Sequence, residues 1–307
     1  MFAKRLPKNG TIGIFSPSHV ADPARYAAQI AGIECMGFSV KLGGNFYKNT
    51  WGYAAAAQER ADDFNALIAD SSVDAILFNG GNGMAEILPF IDYDAIGRNP
   101  KRIGSYSDGT ALLNAIHAKT GLVTYYGTAA ASFEDLRHYD YMQFCAHFVE
   151  GHSAVCFEPN SPRKTVRGGS CEGILVGGYT TLFTMLIANT YAMPTHQNCI
   201  LFLESHEKYG PVGMVAEELA FIEQTSFMRR VNGLVFGHYS TEAPQDLLAC
   251  LERFGNRHNI PVLYTDDFGH GTRHGILHIG VTARLDADKQ SIEFTNNQYG
   301  VRCEGGR

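Results

Sequence analysis

At 307 residues the chain can form one large α/β domain or two of moderate size. Hydrophobic residues make up 45% and charged residues 18%, enough for a substantial core, and the net charge of −6 argues against nucleic acid as a partner. No stretch approaches the roughly 20 apolar residues of a membrane span, and no apolar signal segment follows Lys4, Arg5 and Lys8, so an unexported, cytoplasmic protein is expected.

The first 130 or so residues alternate strands and helices. Thr11 to Phe15 reads as a strand stopping at Ser16-Pro17-Ser18, and a helix with Tyr26, Ile30 and Ile33 on one face follows, ending near Gly37. Phe38 to Leu42 is a second strand. Ala61, Phe64, Leu67 and Ile68 mark a second helix, and Asp74 to Phe78 a buried strand. That strand runs into Asn79-Gly80-Gly81-Asn82-Gly83, with a helix beginning near Met84. Arg102 to Tyr106 is a further strand, followed by a helix over Ala111 to Ile116 that ends at Gly121. This order implies a parallel, flavodoxin-like sheet with sites at the carboxyl ends of its strands.

The character changes around residue 150. Gly, Pro, Asn and Ser cluster between Gly151 and Ser170, so the expected organisation is a domain over 1–150, a linker over 151–172 and a smaller, strand-rich mixed α/β domain over 173–307. The latter mixes helices (Val215 to Glu223, Gln245 to Phe254) with strands (Ile200 to Leu203, Leu234 to Phe236, Val262 to Tyr264). It closes on a hairpin joining Ile279 to Leu285 with Ser291 to Thr295.

The strongest chemical signal is Tyr106-Ser107-Asp108-Gly109-Thr110 between a strand and a helix. A nucleophile elbow needs a serine on a sharp turn with small residues two positions to either side, here Ser105 and Gly109. The helix N-terminus behind it favours developing negative charge. A plain helix N-cap is the other reading of Ser107. Gly80 and Gly81 let backbone N–H groups approach a ligand, as an oxyanion hole or anion cradle requires, although a tight turn uses the same residues. Their spacing with Gly83 is not that of a dinucleotide fingerprint.

A serine nucleophile needs a base and the base an orienting acid. Of twelve histidines, His270 is bracketed by Gly269 and Gly271 just past a strand, and Glu204 ends the apolar run Cys199 to Leu203. His270, His274 and His278 share a four-residue spacing that tempts a metal reading, but Gly271 and Gly275 interrupt any helix, so neither metal nor cofactor is expected. Seven scattered cysteines with no CxxC pair suggest core thiols rather than ligands or disulfides.

Together these pieces resemble the serine peptidase family of LD-carboxypeptidases and microcin C self-immunity proteins. The resemblance runs through Ser16-Pro17-Ser18, Gly80-Gly81, Ile91 to Asp94, Tyr106-Ser107-Asp108, Ala118 to Leu122, Gly177-Gly178, Leu201 to Glu204 and Gly269-His270. It implies a catalytic triad of Ser107, Glu204 and His270, the serine from the N-terminal domain and its partners from the C-terminal one. It also implies an oxyanion hole from the N–H groups of Asp108 and Gly81; the Asp108 side chain, at the start of a helix, is expected to cap it. Gly80, Asn82 and Tyr179 become substrate-pocket residues. A cytoplasmic homodimer without metal is implied too, acting on murein-derived peptides at the bond between an L-centre and a terminal D-amino acid.

Cleavage of aminoacyl-nucleotide antibiotics, joined by acyl-sulfamoyl or phosphoramidate links, is the alternative within the family. A non-catalytic small-anion binding protein and an esterase are the alternatives outside it. The chain departs from the family pattern at Ser105, where glycine is common, at Tyr179, where asparagine is frequent, and at Asn79, which replaces an arginine of the carboxypeptidases.

Overall fold

A computed structural model of the chain describes residues 1–135, 137–150, 157–189, 191 and 197–295. The chain divides into two compact units of nearly equal length, Met1–Gly151 and His152–Arg307.

In the first unit, strands β1 (Thr11–Ile14), β2 (Ser39–Leu42), β3 (Ala75–Leu77), β4 (Arg102–Ser105) and β5 (Thr124–Tyr126) pair in parallel in the order β2-β1-β3-β4-β5. That is the flavodoxin-like order, whose switch point lies where β1 and β3 part company. β1, β3 and β4 are almost wholly buried, as strands with helices on both faces must be. Helix α1 (Pro23–Cys35) starts where the Asp22 carboxylate accepts the Arg25 N–H at 2.9 Å with proline at its first position, and Gly37 beyond it takes φ +87°. Helix α2 (Ala57–Ala69) turns Phe64, Leu67 and Ile68 inward.

The helix after the glycines begins at Met84, as expected, but it is not an α-helix. Met84–Phe90 is a 3-10 helix carrying Pro89, which has no N–H to sustain an α-helical ladder. Helix α3 (Tyr93–Arg98) follows, and α4 (Gly109–Thr120) ends on Gly121 at φ +71°. Helix α5 (His138–Phe144) adds Phe144 to the core.

The second unit holds a mixed seven-stranded sheet. Its strands are β6 (Lys164–Arg167), β7 (Ser170–Tyr179), β8 (Cys199–Glu204), β9 (Val231–His238), β10 (Val262–Gly269), β12 (Thr282–Asp286) and β13 (Ser291–Phe294), with the short β11 (Leu277–Ile279) preceding β12 in the chain. The order is β13-β12-β7-β8-β9-β10-β6, parallel from β7 to β10 and antiparallel at both margins. Helices α6 (Thr180–Ile187), α7 (Val212–Gln224) and α8 (Gln245–His258) supply Phe183, Val215, Leu219, Leu247 and Leu251 to the core against this sheet.

The expected linker needs revision. Residues 151–156 lie outside the described residues, but Lys164–Arg167 pairs antiparallel with β10 and β7 begins at Ser170, so residues 164–167 and 170–172 are sheet. β-Branched Thr165 and Val166 suit a margin strand, and their polar neighbours are what made the segment read as a connection.

β7 and β8 approach so closely at Gly177 that a Cβ there would stand 1.8 Å from the Phe202 carbonyl oxygen, and φ is +148°. Gly177→Ala is therefore expected to destabilise the second unit by about 2–4 kcal/mol, read as a lower urea midpoint at unchanged slope.

Candidate active site

The strand-to-helix turn after β4 puts Ser107 in the left-handed region, at φ +59°. A non-glycine residue there is strained, and its surroundings must hold it. Its N–H donates to the Tyr126 hydroxyl at 3.0 Å. Ser105, wholly buried, donates from Oγ to the Phe78 carbonyl at 2.8 Å, tying the turn to the strand next door. The family's usual glycine at position 105 is thus replaced by a serine whose room is found on the other flank. A Cβ at Gly109 would lie 2.3 Å from Ser105 Oγ, so Gly109 keeps the turn open.

The glycine pair completes this constellation. A Cβ at Gly80 would come within 2.7 Å of Ser107 Cβ and 3.2 Å of its Oγ, so only glycine lets the β3 loop reach the serine. Among the described residues, no acceptor within the chain takes the N–H of Asp108 or of Gly81. Asn82 is exposed one residue further on.

The Asp108 side chain does not cap α4. Its carboxylate instead accepts the Met84 N–H at 2.9 Å, fastening the elbow to the start of the 3-10 helix. A cap requires extended backbone that swings the carboxylate back over the first turn. Asp108 is already helical, at φ −56° and ψ −25°. Burial pushes its carboxyl pKa up, and the Met84 hydrogen bond opposes that rise.

Asn79 also turns inward. It is 8% exposed, its Nδ2 donates to Gln29 Oε1 at 3.0 Å, and its Oδ1 accepts the Ala131 N–H at 2.7 Å. The residue that replaces the carboxypeptidases' arginine is a clamp on α1 and the Ala130–Phe133 turn. Arg60 provides a second clamp. Buried on α2, it donates to the carbonyls of Ala55, Pro17 and Gly83 and pairs with Glu86.

The other constellation lies at the carboxyl ends of β8, β9 and β10. Glu204, fully buried, takes His270 Nδ1 at 2.8 Å. Gly237 and Gly269 make room for it, since a Cβ at either would stand 2.9 or 3.0 Å from Glu204 Cβ, well inside carbon–carbon contact distance. Burial pulls the His270 pKa down, but the charge and hydrogen bond of Glu204 outweigh it and hold the imidazole above its ordinary 6.5. With Nδ1 given to the carboxylate, a proton exchanged by the ring passes through Nε2. Tyr179, in register with Glu204 across β7 and β8, sets its ring edge-on to His270 at 5.2 Å, and Tyr209 does likewise at 5.4 Å.

Sequence reasoning thus named Ser107, Asp108, Gly80 and Gly81, which the fold brings together in one unit, and Glu204, His270 and Tyr179, which it brings together in the other. It missed Tyr126, whose strand-forming Thr124-Tyr125-Tyr126 run was the available signal. A second imidazole–carboxylate pair was missed too. His238 Nδ1 lies 3.0 Å from Asp266 Oδ1, which also accepts the Tyr264 hydroxyl at 2.8 Å. His274 and His278 do not extend a helix from His270, and His278 stacks on Phe294 at 4.8 Å. Among the described residues, no three His, Cys, Asp or Glu side chains are grouped to hold a metal ion.

A raised folded pKa means the Glu204–His270 pair adds stability that is complete below pH 6.5 and is lost as pH rises through the folded value. In an NMR titration the His270 ring is expected to titrate above 6.5, and in Glu204→Gln, where burial acts alone, below it. Unchanged titration in that variant would contradict the electrostatic account.

A family model described as the LD-carboxypeptidase N-terminal domain matches residues 12–127, and one described as the LD-carboxypeptidase C-terminal domain matches residues 172–285. A probable murein peptide carboxypeptidase of Bacillus subtilis is 33% identical over 66% of this chain and 64% of its own length. The microcin C7 self-immunity protein MccF of Escherichia coli is 27% identical over 97% of this chain and 96% of its own. A solved structure of MccF in complex with aspartyl sulfamoyl adenosine superposes with a TM-score of 0.85 at 26% identity, covering 97% of this chain and 99% of that one. With both of its halves matched in order, the chain belongs to the LD-carboxypeptidase family of peptidases.

Proposed function

We propose that the chain is a serine LD-carboxypeptidase that releases a terminal D-amino acid from murein-derived peptides, working as a cytoplasmic homodimer. The observation that supports the serine chemistry is the strained Ser107 turn, set against Gly80, with the N–H groups of Asp108 and Gly81 engaged by no acceptor among the described residues. In this reading His270 takes the Ser107 proton as the hydroxyl attacks the amide carbonyl, and Glu204 holds the imidazole in the tautomer that can receive it. The oxyanion is met by the two backbone donors, each worth about 3 kcal/mol in comparable sites. His270 then gives its proton to the leaving amine, and water releases the acyl group by the same route in reverse.

A second reading has its own support. The match to MccF runs nearly end to end, and Asn79 directs both of its polar atoms into the fold, towards Gln29 and Ala131. These favour an aminoacyl-nucleotide as substrate, cleaved by the same three residues.

Ser107→Ala is expected to keep the fold and lose turnover by roughly ten-thousand-fold; retained activity would remove the nucleophile assignment. Offering the purified protein a murein LD-tetrapeptide and an aminoacyl-sulfamoyl adenosine side by side, with release of D-alanine and of the free amino acid followed by mass spectrometry, separates the two readings. D-alanine release is the expected result.

A further inference from the structure

The second imidazole–carboxylate pair takes no part in the chemistry above, yet it is built against the loop that carries His270. Beyond a bulge in β10, Gly269 stands in register with His238 on β9. Two residues on, a Cβ at Gly271 would lie 2.7, 2.9 and 3.0 Å from Cγ, Cδ2 and Nδ1 of the His238 ring. The two glycines that bracket His270 thus meet β9 at the same residue, one opposite its backbone and the other against its side chain. Glycine is the most permissive backbone, so a histidine between two of them owes its orientation to contacts rather than to its own chain.

The His238 ring is itself locked. Its Nδ1 donates to Asp266 Oδ1 at 3.0 Å, the Tyr264 hydroxyl donates to the same oxygen at 2.8 Å, and the Tyr239 N–H donates to that hydroxyl at 3.2 Å. These bonds form a circuit that returns to the residue next to His238. Burial, and then the Asp266 carboxylate, push the Tyr264 pKa up, so the hydroxyl keeps its proton. Burial raises the Asp266 pKa, but its bonds from His238 and Tyr264 outweigh that and hold it below its ordinary value. On the other side, rings run from His238 through His206 and Tyr209 to His270, at centroid steps of 5.7, 5.7 and 5.4 Å.

We infer that His238 is a positioning residue: its ring, fixed by Asp266, props the backbone at Gly271 and so keeps the His270 imidazole on Glu204. The inference rests on the serine reading above for what His270 does in the reaction, and adds what holds it there.

The test compares the parent protein with His238→Ala, His238→Asn and Asp266→Ala. His238→Asn keeps Cγ and an atom in place of each of Cδ2 and Nδ1, the ones nearest Gly271, with an N–H for Asp266, whereas His238→Ala keeps none of them. The first readout needs no substrate: the NMR signal of the His270 Nδ1 proton shared with Glu204, and its exchange with water. His238→Ala is expected to speed that exchange by roughly ten-fold, through more frequent local opening, and His238→Asn to restore it. The second readout is cleavage of whichever of the two substrates the parent accepts. There His238→Ala should lower kcat by roughly ten-fold with KM unchanged, again recovered in His238→Asn. Asp266→Ala frees the ring without removing it; it should move both readouts the same way, and it carries the test if His238→Ala does not fold. Exchange that stays at the parent rate, His238→Asn no better than His238→Ala, or a loss confined to KM overturns the inference. A small fluorophosphonate is offered to the parent in parallel. Neither labelling nor cleavage, with exchange still governed by His238, overturns the serine reading and upholds the hold of His238 on His270.

Discussion

The backbone of one residue constrains the whole first unit. Ser107 sits at positive φ, a conformation costing an L-residue about 1–2 kcal/mol. That cost is offset by contacts which only this fold brings together. Tyr126 takes its N–H from the next strand, Ser105 ties the turn to the strand on the other side, and Gly109 and Gly80 withhold side chains that would collide. Remove the parallel order β3-β4-β5 and none of these partners is adjacent.

The second unit solves a different problem, a carboxylate fully removed from water. Burying a charge is tolerable only with a partner, and Glu204 finds it in His270. Glycines at 237 and 269 admit the carboxylate stem at the strand end. The sequence run from Cys199 to Glu204 therefore encodes both a core strand and the single polar residue at its tip.

Much of this was legible from local pattern. Alternating buried strands and helices announced the parallel sheet, and Ser107 between a strand and a helix announced the elbow. The glycines at 80 and 81 marked close approaches that the fold contains. What could not be read depended on partners far away in the chain. Asp108 looks like a cap by composition, and only the folded position of Met84 explains where its carboxylate goes. Asn79 looks like a site residue until Gln29, fifty positions earlier, is placed beside it. The margin strand Lys164–Arg167 has too little apolar character to declare itself without β10.

The bond from the Asp108 carboxylate to the Met84 N–H has a dimensional meaning. Asp108 and Gly81 belong to separate loops, and two separate loops would ordinarily drift in their mutual spacing as the chain breathes. A strut of 2.9 Å, anchored on Asp108 itself and three residues beyond Gly81, gauges the gap between those two amides. In the proposed mechanism, where these two amides receive the oxyanion, such a strut would fix their spacing before the charge develops.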